Sequence, residues 1–196
     1  MVRTAHIKKI LSKCFAGLAV VALIPFHAWG VQDECGALFY RSGSQTMVLA
    51  FVNGKLSRLG KLARPWMSQY PDSAIHTDPL ACRFCQGTSF HLRNWLADAF
   101  PANEWVVVRS PSQPNLPFFG RVFHNYIYSP DLNLIVDATY RQFFVQLQLP
   151  NREFKKLPKV FIGTPEEFRS FVDGMFPAEA IDVYLSAQPL SPAPVH

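Results

Sequence analysis

The stretch Gly120-Arg-Val-Phe-His-Asn-Tyr-Ile-Tyr-Ser-Pro-Asp-Leu-Asn-Leu-Ile-Val-Asp-Ala-Thr-Tyr140 decides how this chain is read. Two runs rich in β-branched and aromatic residues, Gly120–Tyr128 and Asn133–Tyr140, flank Ser129-Pro-Asp-Leu132, where Pro130 presets the φ angle of a tight turn. The pattern predicts an antiparallel hairpin. A four-residue loop at 129–132 sets His124 directly opposite Asp137, and side chains so opposed have Cβ atoms about 4.5–5.5 Å apart on one face. A one-residue change of register would send them to opposite faces. With that parity kept, an imidazole and a carboxylate meet through local chain geometry alone.

Working outward, Thr88–Phe100 places Leu92, Trp95, Leu96, Ala99 and Phe100 at intervals of three and four, the period of an amphipathic helix that ends before Pro101. Cys85 and Gln86 stand at its start. Glu104–Arg109 reads as a strand, followed by a Pro-rich loop over Ser110–Pro117; Lys159–Ile162 reads as another strand. Thr164-Pro-Glu-Glu167 combines an N-cap, a Pro at the first helical position and a Glu at the third, which predicts a capped helix to about Met175. Residues 33–75 read as a helical or mixed opening region, broken at Asn53-Gly54, with Leu56, Leu59 and Leu62 recurring until Pro65. The tail from Gln188, with three prolines, reads as loose. The sum is an α+β chain with a helix on an antiparallel sheet, and 196 residues amount to about one domain.

The composition supplies material for a core: 49% hydrophobic residues and 17 Phe against 17% charged residues exclude a disordered chain. The formal charge of +5 is local. Arg3, Lys8, Lys9 and Lys13 account for four of the 19 Lys and Arg, and the remaining 15 face 14 Asp and Glu. A nearly neutral body offers no electrostatic case for nucleic acid or another polyanion as partner.

Those four cations precede the uncharged run Cys14–Phe26, and Ala28-Trp-Gly30 puts small residues at −3 and −1 of a cut after Gly30. The run is shorter than the roughly 20 residues that span a bilayer, so residues 1–30 read as a signal peptide, with an uncleaved anchor as the competing reading. Export to a periplasm or beyond follows, with no stable membrane span after cleavage. Cys35, Cys82 and Cys85 then remain, an odd number in an oxidising compartment, and one of them requires a reason.

A cysteine at a helix start, a strand histidine and a carboxylate in the next strand have matching chemical tasks. The helix dipole and a nearby imidazole lower a thiol's pKa toward a thiolate nucleophile. In such an arrangement His124 takes the thiol proton and returns it to a leaving group, while Asp137 holds the ring in the useful tautomer. The backbone N–H of Cys85 is a natural oxyanion donor, with Gln86, Gln69 and Gln142 as candidates for a second. His76 and His91 read as surface groups, Asp131 as a turn residue, and Trp66, Trp95 and Trp105 as core.

Three pieces, Cys85-Gln-Gly-Thr-Ser-Phe-His-Leu-Arg-Asn-Trp-Leu96, Phe123-His-Asn-Tyr-Ile127 and Leu134-Ile-Val-Asp-Ala-Thr-Tyr-Arg-Gln-Phe143, resemble the papain-like/transglutaminase-like cysteine hydrolase superfamily. The resemblance is to its compact bacterial branch of transglutaminase-like peptidases, protein-glutamine deamidases and papain-fold toxin domains. It spans about residues 82–144, and Gln86 stands where papain itself has Trp. The resemblance implies a catalytic domain over 31–187 with Cys85 as nucleophile, His124 as base and Asp137 as orienting carboxylate. It implies a thioester intermediate, a protein or peptide substrate, and no metal or organic cofactor. Pairing of Cys35 with Cys82 would leave Cys85 free; a Cys82–Cys85 disulfide and a metal site completed by His76 or His91 are the alternatives. At the level of function the alternatives are a non-enzymatic exported binding module and a secreted toxin or effector with the same three residues.

Overall fold

A computed structural model of the chain describes residues 43–67, 80, 84–113, 123–146 and 154–190. The expected signal peptide, Cys35, Cys82, Gln69 and His76 lie outside these residues.

The elements run α1 (Gly43–Met67), α2 (Cys85–Ala99), β1 (Val106–Ser110), β2 (His124–Ser129), β3 (Leu134–Asp137), α3 (Arg141–Gln146), β4 (Phe161–Gly163), α4 (Pro165–Val172), α5 (Ala178–Leu185) and β5 (Gln188–Pro189). The five strands form one sheet in the order β4-β3-β2-β1-β5, with every pairing antiparallel. This is the α+β architecture expected.

Both faces of the sheet are covered, which is why β3 reads as an unbroken apolar run rather than an alternation. Leu134 and Val136 join Ile127 and Ile162 in a core with Val48, Val52, Leu59 and Ala63 of α1 and Leu92 and Leu96 of α2. Ile135 points the other way, with Tyr126 and Phe161, into an aromatic core closed by Phe168, Phe171, Ala180, Ile181 and Tyr184 of α4 and α5. Tyr184 is sandwiched there, 4.1 Å from the centre of Phe168 and 4.5 Å from that of Tyr126, with all three rings nearly parallel. Such pairs add about 0.5–1.5 kcal/mol each beyond their buried area.

Several sequence expectations hold in detail. Thr164 Oγ1 accepts from the Glu167 N–H at 3.2 Å and Glu167 Oε2 accepts from the Thr164 N–H at 2.7 Å, closing the capping box of α4. Asp131 is an exposed turn residue whose carboxylate accepts from the Glu104 N–H. Others are corrected. Asn53-Gly54 does not break the first helix; α1 runs through both and takes in Pro65 in its last turn, because the buried stripe at Val48, Val52, Leu59 and Ala63 outweighs the cost of about 1 kcal/mol for an interior Gly. Gln188 and Pro189, expected in a loose tail, pair with Arg109 and Val108 on the free edge of β1. The helices α3 and α5 lie where no helix was expected, and α5 carries part of the site.

The hairpin turn is displaced by one residue. Ser129 pairs with Leu134, so the loop is Pro130–Asn133 and not Ser129–Leu132. Asn133 closes it in the left-handed conformation at φ 46°, a region Asn tolerates better than most residues, and its N–H reaches the Pro130 carbonyl at 3.2 Å. Extending the ladder sets Tyr126, rather than His124, opposite Asp137. The slip is two residues in register, an even number, so His124 stays on Asp137's face as a diagonal neighbour.

Two helical glycines, Gly54 in α1 and Gly87 in the first turn of α2, differ in how closely their surroundings pack. A Cβ at Gly87 would stand 2.2 Å from the ring of Phe84, whereas one at Gly54 meets nothing within 4 Å. Gly54→Ala should therefore gain the ordinary helix-interior benefit of about 0.5–1 kcal/mol, and Gly87→Ala should lose stability despite the same propensity gain. Thermal unfolding of the two variants should move Tm in opposite directions.

Candidate functional site

The site is built where the first residue of α2, the first of β2 and the last of β3 converge. Phe84 occupies the N-cap of α2 and provides no side-chain acceptor, leaving first-turn N–H groups to other acceptors. Cys85 follows as the first helical residue, 7% exposed and with a free thiol. The Asp137-Ala-Thr139 turn that ends β3 folds back on its own carboxylate: Thr139 N–H and Thr139 Oγ1–H donate to Oδ1 at 2.8 and 3.0 Å. The other oxygen, Oδ2, accepts from His124 Nε2 at 2.6 Å and from the Tyr184 hydroxyl at 2.9 Å. Four donors thus satisfy a carboxylate that is 1% exposed.

A carboxylate only accepts, so Nε2 of His124 carries a proton and Nδ1 is the atom free for chemistry. The ring is enclosed by the edge of Phe143, 4.6 Å between centres, and by the flat faces of Tyr126 and Tyr184. Gln142 Nε2 lies 2.6 Å from Nδ1, and the ring's charge and hydrogen-bonding capacity act on the Cys85 thiol. A neutral ring accepts the Gln142 N–H at Nδ1; a ring protonated there donates instead, to the Gln142 amide oxygen with the amide turned about.

Burial opposes charge on both partners, and each reverses that on the other. Desolvation pushes the Cys85 thiol up, but the hydrogen bond and charge of His124 and a bond from the Asn125 backbone hold it below its ordinary value. Desolvation likewise pushes His124 down, and the charge and hydrogen bond of Asp137, with the Cys85 thiol, carry it up to about 10. Thiolate and imidazolium are favoured together.

Asn125 completes the surroundings of the sulfur. Its side chain is buried, with Nδ2 3.7 Å from Cys85 Sγ, and its carbonyl oxygen Oδ1 accepts from Arg109 Nε at 3.1 Å. An arginine only donates, so Arg109 settles which end of the amide faces the thiol: the NH2 group does. Ser89 of α2 donates to the Asn125 backbone carbonyl at 3.0 Å and ties the start of the helix to β2.

The structure therefore brings together Cys85, His124 and Asp137. Of the candidate oxyanion donors, Gln142 has its amide on the imidazole, Gln86 is exposed in the first turn of α2, and Gln69 lies outside the described residues. The expected Cys35–Cys82 pairing also lies outside them, and Cys85 carries no disulfide. His91 is exposed as expected, Trp105 is core and Trp95 half-buried. Two residues of the site escaped the sequence reading. Asn125 has a local signal, an uncharged polar residue inside an apolar strand. Tyr184 has none near it in sequence, being 47 residues from the carboxylate it bonds.

No family model, curated protein or solved structure matches the chain. What the site defines is a buried thiol–imidazole–carboxylate arrangement on a five-stranded antiparallel sheet.

Two measurements test this geometry. The alkylation rate of Cys85 by iodoacetamide should titrate below the range of an ordinary cysteine; in His124→Ala the two lowering causes that the imidazole supplies vanish while burial and the Asn125 backbone bond remain, so the midpoint should rise and the rate at neutral pH fall at least about tenfold. Tyr184→Phe keeps the ring stack and removes one donor from Asp137, and denaturant unfolding should show a loss of about 1–2 kcal/mol.

Proposed function

We propose that the chain is an exported cysteine-dependent hydrolase or acyltransferase of transglutaminase-like type, acting on peptide bonds or glutamine carboxamides. One observation carries the reading: a free, buried thiol is held at a lowered pKa by the charge of an imidazole whose Nε2 is held by a buried carboxylate at 2.6 Å, on a strand whose next residue, Asn125, reaches the sulfur with Nδ2 at 3.7 Å. The motif resemblance at residues 82–144 supports it, and residues 1–30 support export.

In the proposed reaction the Cys85 thiolate attacks the carbonyl carbon, forming a C–S bond and an oxyanion that faces the Cys85 N–H and the Asn125 amide NH2. The intermediate collapses as the C–N bond breaks, and His124 gives its Nδ1 proton to the departing amine or ammonia. His124 then takes a proton from water, or from an amine acceptor, as that molecule bonds to the thioester carbon; the C–S bond breaks, the acid or amide product leaves, and the thiolate and imidazolium are restored. Asp137 keeps the ring in place throughout. Phe143 and the two tyrosines hold bulk water away from the ring, which strengthens the interaction.

The test is mass spectrometry of a glutamine-containing peptide mixture incubated with the purified chain, alongside Cys85→Ala. A gain of about one dalton reports deamidation, new termini report proteolysis, and cross-links to lysine report acyl transfer. Absence of any change that depends on Cys85 would overturn the reading. Turnover should also fall as pH rises through about 10, where His124 loses the proton it gives to the leaving group.

A further inference from the structure

A second cation, besides the His124 imidazolium, is linked to the thiol through the Asn125 side chain. Arg109 pairs across the ladder with Asn125, so both project from the sheet face that α2 covers. Its Nε is engaged by Asn125 Oδ1, and its guanidinium carbon lies over the ring of Phe123, 4.2 Å from the centre. Phe123 itself is 45% exposed, one of three large apolar side chains at the described surface. The guanidinium is thus two hydrogen bonds and one amide group from Cys85 Sγ.

Aligning Asn125 uses one of the five guanidinium donors. The four on the terminal nitrogens form a fork that matches a carboxylate, and a charge shielded from water on one side by an aromatic face attracts an anion more strongly than a solvated one. Among the described residues no carboxylate is paired with Arg109; the ion pairs there are His124–Asp137 and Arg169–Asp182. Asp137 is saturated by its four donors.

We propose that Arg109 forms an anion subsite beside Cys85, so that the preferred substrates carry a carboxylate within a few bonds of the carbonyl that the thiolate attacks. This rests on reading Cys85 as the nucleophile. The substrate class is a peptide or amide with an acidic neighbour or a free carboxylate next to the reacting acyl group.

Two alkylating reagents separate the subsite from the nucleophile. With iodoacetate and with iodoacetamide the same step occurs: a sulfur–carbon bond forms, the carbon–iodine bond breaks and iodide departs with the electron pair. Only iodoacetate carries a carboxylate, and the ratio of the two rates cancels the thiolate fraction. The native chain should show a higher iodoacetate-to-iodoacetamide ratio than Arg109→Gln, by about two- to fivefold, as expected for one charge at this separation in a partly aqueous site. Arg109→Lys, which keeps the charge, should retain most of the difference. The native ratio should fall between about 20 and about 500 mM salt, a measurement that needs no variant. Equal ratios in native chain and Arg109→Gln would overturn the subsite whatever the salt dependence, and leave Arg109 only as the group that aligns Asn125. Failure of iodoacetamide itself to label Cys85 would instead remove the nucleophile, and the subsite with it.

Discussion

The bond between His124 Nε2 and Asp137 Oδ2, at 2.6 Å and almost wholly out of water, is the constraint on which the rest of the structure depends. Withdrawing a carboxylate and an imidazole from solvent costs several kcal/mol per charge, and the pair's own attraction offsets this only when the remaining lone pairs and protons are also satisfied. The surroundings meet that condition. Thr139 closes one oxygen of the carboxylate, Tyr184 shares the other, and Gln142 and Cys85 meet the far side of the ring. Loss of any one leaves a buried group short of a partner, so the network constrains β2, β3, α3 and α5 to a single arrangement.

The three layers contribute differently. The sheet holds the imidazole and the carboxylate, the helical layer of α1 and α2 brings the thiol, and the layer of α4 and α5 brings the tyrosine hydroxyl. Cys85 is positioned by the Ser89 bond to β2 and by the apolar contacts of Leu92 and Leu96 further along the helix. Tyr184 is positioned by its stacks on Phe168 and Tyr126. The site is consequently a product of the two cores together, and neither face of the sheet suffices. Under the proposed reading, the same two cores exclude water from the imidazole while leaving Cys85 a small exposure at the head of α2.

Residues close together in the chain carried most of what was legible. The capping box at Thr164-Pro-Glu-Glu167, the helix Cys85–Ala99 and the strands around His124 and Asp137 follow from interactions within a few residues, which one sequence displays directly. The hairpin shows both the reach and the limit of that logic. Pro130 by itself points to a turn one residue earlier than the one formed, and the left-handed conformation of Asn133 sets where the turn closes. The face of His124 was nevertheless right, since moving a loop of constant length by one residue shifts the register by two. The helix α1 crosses Asn53-Gly54 for a reason no local rule contains: its buried stripe is held by α2 and β4, elements far along the chain.

By itself the sequence determined an antiparallel pair bearing His124 and Asp137 on one face and a helix opening at Cys85, because turn chemistry and side-chain periodicity act over short separations. Only the tertiary structure decided that the thiol reaches that imidazole, that Gln142 turns its amide onto the ring, that Arg109 orients Asn125, and that Tyr184 closes the carboxylate. Those contacts join residues up to 47 positions apart, and their geometry depends on how two separately packed helical layers meet one sheet.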